Sequence, residues 1–394
     1  MAYSVKVMNN ISNAGLIIFD DSYVIGKDVE NPDVILVRSA RVETDLYLNL
    51  TVVARAGAGV DKITVKEATD KGICVFNTPG ANANAVSELV FIMLGICARN
   101  IHKALSFTQS LAPKASRIDV KKIIEGEKSR FKGFELLGKT LGVIGLGKIG
   151  VRVANGGIER GMNVVGYDTS PAITNIHELD SKVEIVARMD EVLDKADILT
   201  VHVPLSEKTK YLIGESEINK MKSGGILVNF ARDGIYNDNA VITAIKESKV
   251  NTYITDFPTP ALLQENNVLC TPHLGASTAE SEENCAIMAV RQVMDYLKYG
   301  VVVHSVNFPK VDVFPGQSTV TRLAIVNRDV PKMIAAISSV LGEADINIQA
   351  LTNGGNGTIG YNLVDLDVNV PDQVVTIIKR LDNILRVRVI KLSK

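Results

Sequence analysis

Four segments hold residue types that could do chemistry. In Leu141-Gly-Val-Ile-Gly145-Leu-Gly147-Lys-Ile-Gly150-Val-Arg-Val-Ala154 an apolar run meets glycines spaced G-x-G-x-x-G and continues into a helical pattern. That order suits a dinucleotide pyrophosphate. The first glycine permits a tight turn, the second lets backbone amides approach the anion, and the third lets the helix pack on its strand. The helix N-terminus then faces the phosphates. The next apolar run, Asn163-Val-Val-Gly-Tyr-Asp168, ends in a carboxylate 18 residues past Gly150, where such a unit hydrogen-bonds ribose hydroxyls. A carboxylate there repels a 2′-phosphate, and no arginine stands in Thr169-Ser170-Pro171, so the expected cofactor is NAD and not NADP.

The other three segments are Thr200-Val-His-Val-Pro-Leu205, Val228-Asn-Phe-Ala-Arg232-Asp-Gly234 and Cys270-Thr-Pro-His273-Leu-Gly-Ala-Ser277. Each lies where a doubly wound sheet places its loops, after the C-terminal end of a strand. Oxidising a 2-hydroxy acid needs a base for the hydroxyl proton, a cation for the carboxylate and a nicotinamide facing the substrate carbon. His273 suits the first role because imidazole titrates near neutrality, and Arg232 suits the second because its planar fork matches a carboxylate. A histidine in Pro-His-Leu standing alone is more often structural. The upstream glycine turn and the intervening Arg loop make His273 the acid/base candidate. His202, within an expected strand end, reads as structural or merely near the cofactor.

Two alternating α/β series must position these loops. Ser4–Val7, Val34–Val37, Val52–Ala54 and Ile73–Phe76 read as strands of a first parallel sheet, with helical stretches such as Ile63–Lys71 between them. The stretch from Ser87 to Arg99 is apolar on nearly every side, as in a buried helix between packed bodies. Thr140–Ile144, Asn163–Tyr167, Ile198–His202 and Ile226–Asn229 make a second doubly wound sheet. Phe308–Thr319 breaks both periodicities with Pro and Gly and reads as a linker. Beyond it comes a small βαββαβ series: a strand at Thr321–Val326, a helix at Val330–Ala344, strands at Ile346–Leu351 and Asn362–Val368, a helix from Asp372 and a strand near Val387–Ile390. Asp365 and Asp367 share one face at period two, which reads as the solvated side of a half-buried strand and not a metal site.

The bulk properties exclude several classes. With 394 residues, 46% hydrophobic and 22% charged, the chain reads as an ordinary globular protein of two or three domains. Its 43 basic against 44 acidic residues leave a net charge of -1, so no global field attracts nucleic acid or a membrane surface. No signal-peptide pattern opens the sequence and no apolar run is long enough to span a bilayer, which makes the cytoplasm the expected address. Cys74, Cys97, Cys270 and Cys285 show no CxxC pairing and read as reduced core thiols. No metal site is expected.

Several blocks together resemble the D-isomer-specific 2-hydroxyacid dehydrogenase family: Val52-Val-Ala-Arg-Ala-Gly-Ala-Gly-Val-Asp61, Phe76-Asn-Thr-Pro-Gly80, the Gly145 turn, Asn229-Phe-Ala-Arg232, Thr271-Pro-His-Leu-Gly-Ala-Ser-Thr278 and Asn327–Leu351. The resemblance spans nearly the whole chain. It implies a flavodoxin-like substrate domain (1–86 and 277–307), a Rossmann NAD domain (87–276), a linker (308–319) and an ACT-like regulatory domain (320–394). It also implies that Arg232 orients the substrate and His273 is the acid/base. Thr78, Gly145, Gly147, Lys148, Ile149, Gly150, Asp168, Val203, Phe230, Asp256, Gly275 and Ala276 would line the NAD site, and Arg55, Ala56 and Gly57 would face the substrate.

The ACT-like tail points within the family to oxidation of D-3-phosphoglycerate, the first step of serine biosynthesis, by a homodimer or homotetramer. Asn327 and Asn347 match effector-binding positions, although the usual Pro-Gly turn reads Pro331-Lys332 and the histidine of the pattern is Ile325. The core motifs fit a lactate, glycerate or glyoxylate-type enzyme equally well, and a non-enzymatic NAD-sensing corepressor shares the plan. Candidate cations for a substrate phosphate are Arg38, Arg55, Arg99, Arg130 and Lys132. The family usually carries Asp-Val-Phe-x-x-Glu-Pro, whereas this chain reads Thr255-Asp256-Phe-Pro-Thr-Pro-Ala261, without the Glu that holds the catalytic histidine protonated. Asp256 or Glu265 is the substitute to look for. Without such an acid, activity should persist to lower pH than in a Glu-bearing relative.

Overall fold

The computed structural model describes residues 2–392, which form two compact units: 2–82 with 279–392, and 83–278. In the first unit β1 (Tyr3–Met8), β2 (Tyr23–Gly26), β3 (Val34–Val37), β4 (Val52–Arg55) and β5 (Cys74–Phe76) form a parallel sheet in the order β2-β1-β3-β4-β5. This is the flavodoxin-like order expected. Its central strands are apolar on both faces, as a sheet covered on both sides requires. The 21-residue helix Ala279–Tyr299 returns to cover one face, with Ala289, Val290, Val293, Tyr296 and Leu297 in the same core as Val5, Val34 and Val52.

The second unit holds β6 (Thr140–Ile144), β7 (Asn163–Tyr167), β8 (Glu184–Ile185), β9 (Ile198–Val201), β10 (Gly225–Asn229), β11 (Val250–Thr255) and β12 (Val268–Cys270). They form one parallel sheet in the order β12-β11-β10-β9-β6-β7-β8, the doubly wound pattern that reverses direction beside β6. The Ala83–Ala98 helix buries ten of its sixteen residues in this unit. It lies so close to the Lys148–Glu159 helix that a Cβ at Gly156 would come within 2.5 Å of Phe91. No single helix among the described residues is long and apolar enough to cross a membrane; Ala83–Ala98 meets such a test only together with the next helix, across a 63° bend.

The tail forms β13 (Thr321–Arg328), β14 (Ile348–Gly355), β15 (Ile359–Leu366) and β16 (Ile384–Lys391), an antiparallel sheet in the order β14-β15-β13-β16 with helices Met333–Glu343 and Asp372–Arg380. The βαββαβ order is as expected. Its surroundings differ from the expectation of a self-contained body. Along β13 the side chains alternate between two cores: Leu323 and Ile325 meet the tail's own helices, while Ala324 and Val326 join the core of the first sheet and Tyr296. Arg388 of β16 donates to the carbonyls of Tyr296 and Leu297 at 3.0 and 2.8 Å and lies over the Tyr296 ring. Within 308–319, read from sequence as a linker, Phe308, Val311 and Thr319 are buried.

Asp365 corrects the reading of a solvated strand face. It is 4% exposed and receives both Arg322 Nε at 2.5 Å and Nη2 at 2.8 Å. The face holding Asp365 is covered by the first sheet's domain, so its charge is paired and not hydrated; Asp367, beyond the end of β15, is exposed as expected.

Candidate active site

The loops singled out in the sequence leave the second unit's sheet at one edge, because all seven strands are parallel. Gly145 follows β6, Asp168 follows β7, His202 and Val203 follow β9, Arg232 follows β10, Asp256 follows β11 and His273 follows β12.

The three glycines of the turn meet different demands. Gly145 has φ of +93°, and a Cβ there would lie 2.8 Å from the His202 carbonyl oxygen. At Gly150 a Cβ would lie 1.8 Å from the Gly145 carbonyl oxygen, so the helix could not seat against the turn. Gly147 has nothing within 4 Å of a Cβ, which leaves open space over the turn. No side chain caps the Lys148–Glu159 helix, so its first amides keep unused donors aimed at that space. Open space, free helix amides and a nearby acid are what a dinucleotide pyrophosphate and ribose require. Asp168 also braces the turn: it accepts the Leu146 amide at 2.8 Å and the Ser170 amide at 2.8 Å, and each oxygen keeps a further lone pair.

The Lys148 side chain is paired with Glu178 at 2.7 Å, and that hydrogen bond is the main cause of the lowered Glu178 pKa. Lys148 thus offers the turn its amide while its ammonium lies on the neighbouring helix. Ile149 and Phe230 pack into the core beneath the sheet, and Val203 into the core of the opposite face. His202 contacts Thr200 Oγ1 through Nε2 at 3.0 Å, its Nδ1 is buried without a partner, and burial drives its pKa down to about 4. It is a half-buried histidine whose desolvated ring favours the neutral form.

Two buried polar residues hold the candidate catalytic loops. Asn229, 2% exposed, donates to the Arg232 carbonyl at 3.0 Å and accepts the Ala231 amide at 3.1 Å, which bends the chain after β10. Asp256, also 2% exposed, accepts Thr271 Oγ1 and the amides of Leu274 and Gly275, each at 2.7 Å. The Asp256 amide in turn bonds to the Asn229 carbonyl at 3.2 Å, so the two braces are continuous. His273 stands in the loop so held, exposed, with a left-handed φ of 57° and its ring edge-on to Phe257 at 5.1 Å. Left-handed backbone is uncommon outside glycine, which implies that the surrounding bonds enforce it.

Neither substitute acid reaches the histidine. The Asp256 oxygens are taken by the loop, and Glu265 pairs with Lys246 at 3.2 Å. Among the described residues of this unit no carboxylate lies within ion-pairing distance of the His273 ring. Sequence reading missed the bracing by Asn229; the available signal was one amide ending the apolar run Gly-Ile-Leu-Val before the Arg loop.

In the first unit Thr78 is fully buried, and its hydroxyl accepts the Gly57 amide at 2.8 Å while its own amide donates to the Gly57 carbonyl at 3.0 Å. Arg55 Nε donates to the Arg38 carbonyl at 3.0 Å, and its Nη1 bonds to the Gly59 carbonyl. Ala56 bonds through its amide to the Val37 carbonyl at 2.8 Å. Of the other cations considered for a phosphate, Arg38 pairs with Glu282 at 2.7 Å, Arg130 pairs with Glu127, and Arg99 is exposed. In the tail, Asn327 is buried, its oxygen accepting Asn362 Nδ2 at 2.7 Å and its Nδ2 donating to the Arg328 carbonyl, while Asn347 is exposed. An effector at Asn327 would have to displace that ladder. No group of three or more metal-ligating side chains occurs among the described residues.

Residues 101–275 match the NAD-binding domain of the D-isomer-specific 2-hydroxyacid dehydrogenases. The chain is 39% identical over 293 residues to a D-3-phosphoglycerate dehydrogenase of Methanocaldococcus jannaschii, an alignment covering 72% of this chain and 53% of that protein. It thus spans about half the length of that relative. It is also 39% identical to a hydroxypyruvate reductase of Thermotoga maritima, over 69% of this chain and 87% of that one. The NAD+-bound crystal structure of 3-phosphoglycerate dehydrogenase from Entamoeba histolytica superposes with a TM-score of 0.62 at 26% identity, covering 78% of this chain and 99% of the other. With its glycine turn, ribose acid and braced Arg and His loops at one sheet edge, the chain belongs to the D-isomer-specific 2-hydroxyacid dehydrogenase family.

Proposed function

We propose that this chain oxidises D-3-phosphoglycerate to 3-phosphohydroxypyruvate with NAD, as an entry step to serine. The observation that carries the reading is the continuous brace from Asn229 to Asp256, which fixes a cation loop and an imidazole loop at the same edge as the dinucleotide turn. Arg232 holds the substrate carboxylate with its planar fork. An imidazole nitrogen of His273 takes the hydroxyl proton as the C2–O bond gains double-bond character, and returns it in the reverse direction. Bound NAD supplies the acceptor for the C2 hydride. The Gly145 turn and the helix amides after Gly147 hold its pyrophosphate, and Asp168 its adenosine ribose.

The phosphate is assigned to the Arg55 guanidinium; the Ala56 and Gly57 amides beside it are already bonded to Val37 and Thr78 and only shape the turn. The names of similar proteins from several organisms support the phosphorylated substrate. A second reading, reduction of hydroxypyruvate, is favoured by the Thermotoga relative, whose length the alignment nearly spans. We include in the proposal a homo-oligomeric assembly and a cytoplasmic address, the latter because all four cysteines are free thiols.

The test is NADH formation with 3-phosphoglycerate, D-glycerate and D-lactate, and NADH consumption with the matching oxo acids. A kcat/KM for 3-phosphoglycerate at least about tenfold above that for D-glycerate is expected, and Arg55→Ala should raise KM for the phosphorylated substrate more than for D-glycerate. Preference for hydroxypyruvate over its phosphorylated form would select the second reading. Tight NAD binding with no turnover on any of these acids would point instead to an NAD-sensing protein.

A further inference from the structure

At the edge of the seven-stranded sheet opposite the catalytic loops, the second unit has a cavity of about 400 Å³. It lies where β11 and β12 begin, between Asn251 and Thr252 on one side and Gly133 and Phe134, before β6, on another. Its chemistry is unlike the apolar lining of most small-molecule pockets. Lys103 and Lys132 stand on its wall and neither makes an ion pair among the described residues. Asn266 and Asn267, both exposed, also line it. Asn100 donates to the Lys132 carbonyl at 3.2 Å, which ties the start of one helix to the segment carrying the lysine. His102 also lines the cavity.

None of the residues lining the cavity is an aspartate or glutamate. The positive character continues beyond it. A neighbouring cavity of about 220 Å³ shares Phe134 and Asn251 and adds Lys139. Its one carboxylate, Asp197, is already held by Lys222 at 3.0 Å and the Thr140 amide at 2.8 Å. Unpaired cations around a concave wall focus field on anions, and side-chain amides supply neutral donors beside them.

We propose that this cavity is a second binding site, distinct from the cofactor and substrate positions, for a small polyanion bearing phosphate or several carboxylates. Its volume suits a molecule the size of a sugar phosphate or a tricarboxylic acid. Lys103 and Lys132 take the charge, Asn266 and Asn267 donate to its oxygens, and Phe134 forms the apolar side.

The test uses the full chain saturated with NADH and 3-phosphoglycerate, a pair that cannot react, so that neither the glycine turn nor the substrate position takes up the probe. Inorganic phosphate and citrate are each titrated calorimetrically at constant ionic strength in chloride, against the parent and a Lys103→Ala/Lys132→Ala variant. Both lysines are exposed, so the variant should keep the parent's thermal midpoint. At least one probe should bind the parent, and the variant should bind it about tenfold or more weakly. An Asn266→Asp/Asn267→Asp variant, which places carboxylates on the wall, should lose binding as well. Stronger binding of phosphate or of citrate identifies which anion chemistry the site prefers. The proposal is overturned if neither probe binds the loaded parent below about 10 mM, or if the lysine variant binds both as the parent does.

Discussion

Asp256 accepts the amide of Leu274 at 2.7 Å, and so grips the chain one residue past His273. Two more bonds, from Thr271 and Gly275, close the grip on either side of the histidine. Family resemblance places Asp256 in the cofactor lining, but its carboxylate is buried and spent on the loop, which makes it a positioning residue. Asp256→Asn leaves one oxygen for three donors and sets an NH2 group against the others. A displacement of the imidazole by an ångström is enough to cost about 100-fold in rate, so kcat should fall by roughly that factor. The Kd for NAD, measured by fluorescence quenching of NADH, should move by less than about threefold. A raised Kd with kcat preserved would assign Asp256 to the cofactor instead.

The glycine turn separates two kinds of glycine. At Gly147 an added methyl group meets no protein atom, whereas at Gly150 it meets the Gly145 carbonyl oxygen at 1.8 Å. Gly147→Ala should therefore leave the thermal midpoint within about 2 °C of the parent while weakening NAD at least about tenfold, since the methyl would occupy the space proposed for the pyrophosphate. Gly150→Ala should instead lose about 3 kcal/mol or more of unfolding free energy by denaturant titration, because backbone must shift. Equal loss of stability in both variants would mean that the space over Gly147 is not a ligand's.

Much of this arrangement was legible because it is local. A strand, a glycine spacing and a terminal acid are read from adjacent residues, and Thr140–Ile144 and Asn163–Tyr167 coincide with the strands found. The bracing was not legible, because Asn229 and Asp256 act across strands whose pairing the sequence does not state. Asp365 shows the same limit in the tail: its alternation within β15 was readable, but what covers that face is decided by Tyr299, Val313 and the first sheet. The Pro331-Lys332 step was a readable departure. Lys332 adopts φ of +74° at the start of its helix, the conformation for which the usual glycine is suited.

His202 links the cofactor domain's stability to pH. Burial lowers its pKa to about 4, against an unfolded value near 6.5. Above pH 6.5 both states are neutral and the group is silent. Between about 6.5 and 4 the unfolded chain takes up a proton that the folded chain does not, so stability falls as pH falls through that window. The shift corresponds to about 3 kcal/mol at the acid end. His202→Gln keeps a polar side chain without the titration, and its unfolding free energy should lose about 3 kcal/mol less than the parent's between pH 7 and pH 4. Parallel curves for the two proteins would show that the imidazole is hydrated in the folded state.

The Arg322–Asp365 pair is the test of how firmly the tail is fastened. Arg322 donates twice to Asp365 and, through Nη1, to the carbonyls of Tyr299 and Val313 at 2.8 and 2.7 Å. The same guanidinium thus joins two strands of the tail to the end of the long helix and to the connecting segment. A buried pair of this kind contributes little over well-packed apolar residues, because both charges lose their hydration, but removing one partner strands the other. Asp365→Ala should accordingly cost about 3–5 kcal/mol, and the tail should become accessible to limited proteolysis between 300 and 320. Arg322→Met/Asp365→Leu should recover most of that free energy, since it leaves no unpaired charge. If the single variant loses less than about 1 kcal/mol, the carbonyls of Tyr299 and Val313 suffice to hold the arginine and the carboxylate is dispensable.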